Sequence, residues 1–199
     1  MKANKLSKSE KTKENIINET IKLINESNGN VEAITIRKIA ERVNSSVGLI
    51  NHYFESKDLL IEECVQRFIR EVVQSFHMPI IKKESPTQLA ACAMKQVVDF
   101  LMQQEQVSQI SILGDLKNPG VRTNTMGTVN GIAYYLGSGE ITQLHKRQAY
   151  TIVAVVQEAF LCRKVLKEMI GIDFYDKIQR DEYIDQVVRG VTKQIIEEK

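Results

Sequence analysis

Three prolines (Pro79, Pro86, Pro119) and ten glycines in 199 residues leave this chain short of turn residues. An all-β fold needs more of them, whereas long helices tolerate such a composition well. Cysteine is equally scarce. Cys64, Cys92 and Cys162 are odd in number, unevenly spaced and set in apolar surroundings. They build neither a disulfide framework nor a CxxC metal site, and they point to a reducing compartment, the cytoplasm. No apolar run is long enough to span a membrane, and the N-terminus has no apolar core of the signal-peptide kind. His52, His77 and His145 are too scattered to pair on a metal. A Walker loop, a Gly-x-Ser-x-Gly elbow and a paired-carboxylate setting are all missing, so no cofactor is expected and a helical enzyme is the least supported class.

What is present is enough apolar material to close a core: 43% of residues are hydrophobic and 26% charged. The net charge of +2 does not mark the whole chain as a nucleic-acid binder, but its distribution is uneven. Residues 1–60 carry ten Lys/Arg against eight Asp/Glu, and the remainder carries seventeen of each. Within residues 1–13, Lys2, Lys5, Lys8, Lys11 and Lys13 face a single acid, Glu10. These lysines fit a flexible arm that neutralises phosphates, and equally a solvated tail.

Hydrophobic periodicity divides the chain into helices and yields no convincing strand. Residues 12–27 place Ile16, Ile17, Thr20, Ile21 and Ile24 on one face, and Asn28-Gly29-Asn30 stops them. A short helix is predicted from Thr35, its N-cap, to Val43, where Asn44 supplies a left-handed turn. Ser45 or Ser46 caps a third helix through Val47, Ile50 and Phe54, and Ser56 caps a long fourth. Pro79 and Pro86 bracket the end of that helix. Further helices are predicted over 86–106, 107–116, 121–136, 141–170 and 180–197, with a turn at Asn118-Pro119-Gly120 and a loop at Gly137-Ser138-Gly139. Asp99 and Glu158 fall in otherwise apolar helices and are expected on exposed faces.

The informative stretch is Thr35 to Leu60, TIRKIAERVNSSVGLINHYFESKDLL. It reads as two short helices joined by a tight turn, with longer helices packed behind. That arrangement lets the second short helix project into a major groove. Its outward residues are Val47, Gly48, Leu49, Asn51 and His52; Ile50 and Phe54 turn inward against Ile39. Thr35, Ile39, Ala40, Gly48, His52-Tyr53-Phe54, Ser56, Lys57 and Leu60 then fall in a register that is similar to the DNA-binding domain of the tetracycline-repressor (TetR) family. Asn44 replaces the family's usual turn glycine, Ser45 stands where an apolar residue is common, and Asn51 stands where tyrosine is frequent.

The resemblance implies roles residue by residue. Thr35 and Arg37 open the positioning helix, with Arg37 in reach of a phosphate or a guanine edge. Ser46 caps the recognition helix and contacts the DNA backbone. Val47, Gly48 and Leu49 meet the groove floor, and Asn51 contacts adenine or phosphate. His52, Tyr53 and Lys57 hold phosphates, Lys57 aided by the N-terminus of its helix.

The expected fold is all-α: an N-terminal three-helix helix-turn-helix module with a basic arm (residues 1–56), then a helical effector-binding and dimerisation domain (57–199). Met94, Phe100, Met102, Tyr134, Tyr135, Tyr150, Gln157 and Phe160 supply material for an effector pocket, and fit plain core as well. Val153, Val156, Phe160 and Leu161, with Ile184, Val187, Val188, Val191 and Ile195, give the last two long helices wide apolar faces. The resemblance turns these toward a four-helix dimer interface, and a two-fold dimer implies an inverted-repeat operator in double-stranded DNA. The function that follows is a sequence-specific regulator, a repressor released by a small-molecule effector. The alternative keeps DNA binding without an effector, as an architectural or partner-controlled factor.

Overall fold

Ser7 starts the first helix. Its hydroxyl accepts the Glu10 backbone N–H at 3.2 Å while the Glu10 carboxylate accepts the Ser7 N–H at 2.7 Å, a reciprocal cap that satisfies two donors. The computed structural model describes residues 7–75 and 84–193, and every regular element in them is helical. Helix α1 runs Lys8–Glu26, four residues ahead of the start expected from periodicity, because the Ser7–Glu10 box precedes the apolar pattern. Lys8, Lys11 and Lys13 therefore ride on a helix and not on a flexible arm, while Lys2 and Lys5 lie outside the described residues. Asn28 (φ 50°) and Gly29 (φ 79°) end α1 in left-handed geometry, with the Gly29 N–H returning to the Ile24 carbonyl at 2.9 Å.

A single 3-10 turn at Val31–Ala33 leads to α2 (Ile36–Arg42), α3 (Val47–Phe54) and α4 (Lys57–Ser75). The next helices are α5 (Pro86–Gln103), α6 (Glu105–Lys117), α7 (Asn124–Leu136), α8 (Gln143–Leu161), α9 (Leu166–Ile170) and α10 (Lys177–Lys193). The predicted end of α4 around Phe76, His77 and Pro79 lies outside the described residues, as does Ile195.

Two compact units result. Of the described residues, the first takes 7–71 together with Gln104–Gly114, and the second takes 72–75, 84–103 and 115–193. The first closes over Ile16, Ile17 and Ile24 of α1, Ile39 of α2, Ile50 of α3 and Leu60, Cys64 and Val65 of α4, all buried. Burial pushes the Cys64 thiol up to about 12, so it stays protonated and serves as an apolar filler. Gly114 of α6 lies so near α4 that a Cβ there would fall 2.7 Å from the Gln66 amide nitrogen.

In the second unit α7 packs on α8 and α5, and α10 lies across α5 and α8. The core is built from Leu89, Met94 and Val98, Ile132 and Ala133, Ile152, Val153, Val156 and Phe160, Phe174, Ile184 and Val188. The stretch expected as one helix over 141–170 is broken. Cys162 ends α8, and Arg163 turns inward, donating from Nη1 to the Phe160 carbonyl at 2.9 Å with its guanidinium 4.4 Å from the Phe160 ring. An inward arginine at a helix end satisfies a terminal carbonyl that further helix would otherwise take.

Glu158 is exposed, as expected. Asp99 is not a plain surface carboxylate: it accepts from Lys177 at 2.7 Å and from Arg180 at 2.8 Å, and Arg180 is itself buried.

Candidate nucleic-acid interface

The helix-turn-helix is held by a succession of caps. Thr35 Oγ1 accepts the Lys38 N–H at 3.2 Å and fixes the start of α2. At the other end Asn44 adopts φ 49°, the Ser45 N–H reaches the Ala40 carbonyl at 2.9 Å, and the Asn44 N–H reaches Glu41 at 3.2 Å. This is a Schellman stop, with asparagine doing the work that glycine does at comparable turns. Ser46 then caps α3, its hydroxyl accepting the Leu49 N–H at 3.2 Å. Glu55 (φ 60°) ends α3, and Ser56 caps α4 through the Leu59 N–H at 3.2 Å.

These caps fix which way α3 faces. Ile50 and Phe54 are buried, with the Lys13 ammonium 5.2 Å from the Phe54 ring centre. Gly48, Leu49, Asn51 and His52 are exposed and Val47 is half-buried, on the opposite side. Leu49 presents 38% of its surface to solvent, beside exposed Gly48, Asn51 and His52. At Gly48 an added Cβ would meet only the Ser46 hydroxyl, at 3.9 Å, so nothing inside the chain demands a glycine there. Tyr53 is half-buried, its hydroxyl 3.1 Å from Ser9 Oγ of α1 and its ring edge-on to His52. Lys57 is the first residue of α4 and is half-buried.

The described basic residues up to Arg67 fall into two sets. Lys13 pairs with Glu63, Lys22 with Glu19, Arg42 with Glu19 and Glu26, and Arg67 with Glu14. The Lys22 and Arg42 bonds hold the Glu19 carboxyl below its usual range, and the Arg67 bond does the same to Glu14. Lys8, Lys11, Arg37, Lys38 and Lys57 form no ion pair among the described residues. Arg37 borders a cleft of about 360 Å3 with Ala40, Glu41, Asn44, Ser45 and Val47. Lys8 and Lys11 border a second, of about 400 Å3, with Asn15, Asn44, Ser45 and Leu49 among its walls. Both clefts share the turn and adjoin the exposed side of α3. Lysine spacing alone could not have put Lys8 and Lys11 there; the Ser7–Glu10 cap, which makes them helical, was the available signal.

Residues 16–64 match the family model of the bacterial regulatory proteins of the tetR family. The fold is shared over nearly the whole length with a TetR transcriptional regulator from Rhodococcus sp. RHA1, at TM-score 0.64 and 12% identity, covering 95% of this chain and 99% of that one. Residues 16–64 therefore carry a DNA-binding domain of the TetR family. A second regulator from the same organism superposes at TM-score 0.52 with 16% identity, over 92% of this chain and 97% of that one. No curated protein matches the sequence. With that domain the chain is a DNA-binding transcriptional regulator, and α2 and α3 are its helix-turn-helix.

The second unit disperses the residues expected to line an effector pocket. Met94, Tyr135 and Phe160 are buried in the core. Phe100, Met102 and Gln157 are half-buried, and Gln157 exchanges hydrogen bonds with Thr125. Tyr134 is exposed, its ring edge-on to Tyr135 at 5.7 Å. Tyr150, 54% exposed, borders an open groove of about 670 Å3 between α7 and α8, with Val121, Met126, Val129, Lys146 and Arg147 among its walls. The apolar faces read as a dimer seam also resolve differently. Val153, Val156, Phe160, Ile184 and Val188 are buried within the protomer, where α8 and α10 pack together, and Leu161, Val187 and Val191 are half-buried. No helix among the described residues is long and apolar enough to cross a membrane.

Proposed function

We propose that this TetR-family regulator is a cytoplasmic repressor that holds an inverted-repeat operator as a homodimer and leaves it when a small effector binds. Residues 1–56 read the DNA, and residues 57–199 carry the effector site and the dimer contacts of the last two long helices. No catalytic role is assigned. Thr35, Arg37, Ser46, Val47, Gly48, Leu49, Asn51, His52, Tyr53 and Lys57 are the residues that meet DNA in this reading. The observation that carries it is the exposed side of α3, apolar at Val47 and Leu49 and polar at Asn51 and His52, flanked by cations that no carboxylate among the described residues engages. Apolar side chains favour thymine methyl groups and unpaired cations favour phosphates, so one face offers both base and backbone contacts.

Fluorescence anisotropy with labelled duplexes from the intergenic DNA beside its own gene tests the reading. A preferred inverted repeat is expected, and Arg37→Ala and Lys57→Ala should each weaken it by about tenfold. Binding to every duplex with equal affinity would sink the proposal.

A second reading, a DNA-binding factor without a small effector, draws support from the dispersal of the nominated pocket residues between core and surface. Thermal-shift screening separates the two. A compound that raises the melting temperature and releases the operator favours the effector; release only by a protein partner favours the second reading.

A further inference from the structure

The first turn of α1 reaches α3 through a hydroxyl. Ser9 Oγ lies 3.1 Å from the Tyr53 hydroxyl oxygen, and either oxygen can be the donor. Four residues further along α1, the Lys13 ammonium sits 5.2 Å from the ring centre of Phe54, the neighbour of Tyr53. Positions four apart share a helix face, so Ser9 and Lys13 form one stripe of α1 turned toward the C-terminal end of α3. Local structure fixes both sides of the contact. The Ser7–Glu10 box sets the turn that carries Ser9, and burial of Phe54 sets the turn of α3 that carries Tyr53. His52 meets the Tyr53 ring edge-on, centres 5.6 Å apart, and narrows the ring's freedom to swing.

The Ser9–Tyr53 bond lies in solvent, where a neutral hydrogen bond replaces bonds to water and adds little to stability. Its effect is on direction. A tyrosine hydroxyl has one proton and can accept as well as donate. Phosphate oxygens only accept, so a Tyr53 hydroxyl that meets a phosphate must direct its proton there. That leaves Ser9 one role in the pair: its own O–H donates to the Tyr53 oxygen. A hydroxyl that accepts one hydrogen bond is a stronger donor in the next, so the contact that aims Tyr53 also polarises it. Ser9 itself need not touch the DNA.

We propose that Ser9 is a positioning residue for DNA binding: as hydroxyl donor to Tyr53, it holds the tyrosine hydroxyl with its proton free for a backbone phosphate. The proposal rests on the reading of Tyr53 as a DNA contact. It adds a residue outside the helix-turn-helix, seven positions ahead of the segment that matches the family model.

Anisotropy titrations of the full chain on its preferred duplex, at several salt concentrations, test it. Ser9→Ala should weaken binding roughly three- to tenfold, and Tyr53→Phe at least as much. The double variant should bind no more weakly than Tyr53→Phe alone, since each change removes the same contact. Ser9→Thr keeps the hydroxyl and should bind as wild type does. The salt slope should hold its wild-type value throughout, because a neutral donor releases no condensed counterion. Melting temperatures should stay within about 2 °C of wild type. Wild-type affinity in Ser9→Ala beside a weakened Tyr53→Phe would overturn the proposal and leave Tyr53 as a contact. Additive losses, or a Ser9→Thr as weak as Ser9→Ala, would overturn it too. A lower salt slope in Ser9→Ala would move the effect to the neighbouring Lys8 and Lys11, and a large drop in its melting temperature would make the bond structural; either overturns the proposal. Wild-type affinity in Tyr53→Phe would remove the tyrosine hydroxyl from the DNA, and the reading of Tyr53 would fall together with the role of Ser9.

Discussion

Gly48 has open space where a side chain would be, and Asp99 has none of the freedom its sequence context suggests. The contrast separates residues selected for what lies outside the protein from those selected for what lies inside. Alanine at position 48 fits the chain and removes the entropic cost of a helical glycine, a gain of roughly 0.5–1 kcal/mol. If the DNA backbone or a base edge approaches that point, the added methyl group obstructs it. Gly48→Ala is therefore expected to raise the melting temperature slightly while lowering operator affinity; a rise in both by thermal melt and anisotropy would remove Gly48 from the contact surface.

Asp99 works in the opposite sense. Burial alone would raise its carboxyl, but the hydrogen bonds from Lys177 and Arg180 outweigh burial and hold it below its ordinary 3.8. A depressed folded-state value means that the contribution to stability is complete above 3.8 and is lost as pH falls through that lower value. Asp99→Asn should cost about 1–3 kcal/mol near neutral pH, because it leaves the buried Arg180 with a neutral partner. Melts of wild type and variant should draw together below pH 3.8, and a gap unchanged in acid would assign the loss to something other than charge.

At the scale of the element, legibility followed the length and position of the apolar pattern. The α2-turn-α3 segment could be read almost completely, since Thr35, Asn44, Ser46 and Ser56 are local signals that act on their own neighbours. The start of α1 was missed where a polar cap precedes any apolar residue. The break between α8 and α9 was missed because Arg163 looks like a surface residue until its partner, the carbonyl of Phe160, is known. The wide apolar faces of α8 and α10 could be read as apolar, but a sequence does not say whether such a face meets its own chain or a copy.

Glycine shows the same limit. Gly131 lies inside α7, where glycine costs a helix stability, and a Cβ there meets nothing within 4 Å. Gly137 looked like ordinary loop, yet a Cβ there would sit 1.9 Å from the Glu140 carbonyl oxygen and 2.6 Å from His145 Nδ1, which helps cap α8. Gly131→Ala should be neutral or stabilising by up to about 1 kcal/mol. Gly137→Ala should destabilise by about 2–4 kcal/mol, since backbone must shift to admit it. Urea titrations of the two variants check the pair, and equal midpoints would mean that the α7–α8 loop relaxes at little cost.

For the whole molecule, charge matters by placement more than by sum. A net +2 over 199 residues gives little long-range attraction for DNA. Local neutralisation still counts, because each phosphate met by a cation releases condensed counterions and adds about 0.9 to the slope of log affinity against log salt. Up to Arg67, carboxylates already engage Lys13, Lys22, Arg42 and Arg67, leaving Lys8, Lys11, Arg37, Lys38 and Lys57 as the candidates for phosphate. Lys8 and Lys11 share a cleft with the turn and with Leu49 of α3, so a duplex lying on α3 brings its backbone to them. Replacing both by glutamine should weaken binding to every sequence alike, without changing which operator is preferred. In a dimer on two half-sites four contacts vanish, and the salt slope should fall by roughly 3–4. Anisotropy titrations at several salt concentrations measure that slope directly. A double variant with the wild-type slope would mean that these lysines stay in solvent when DNA binds, and would leave the phosphate contacts to Arg37, Lys38 and Lys57.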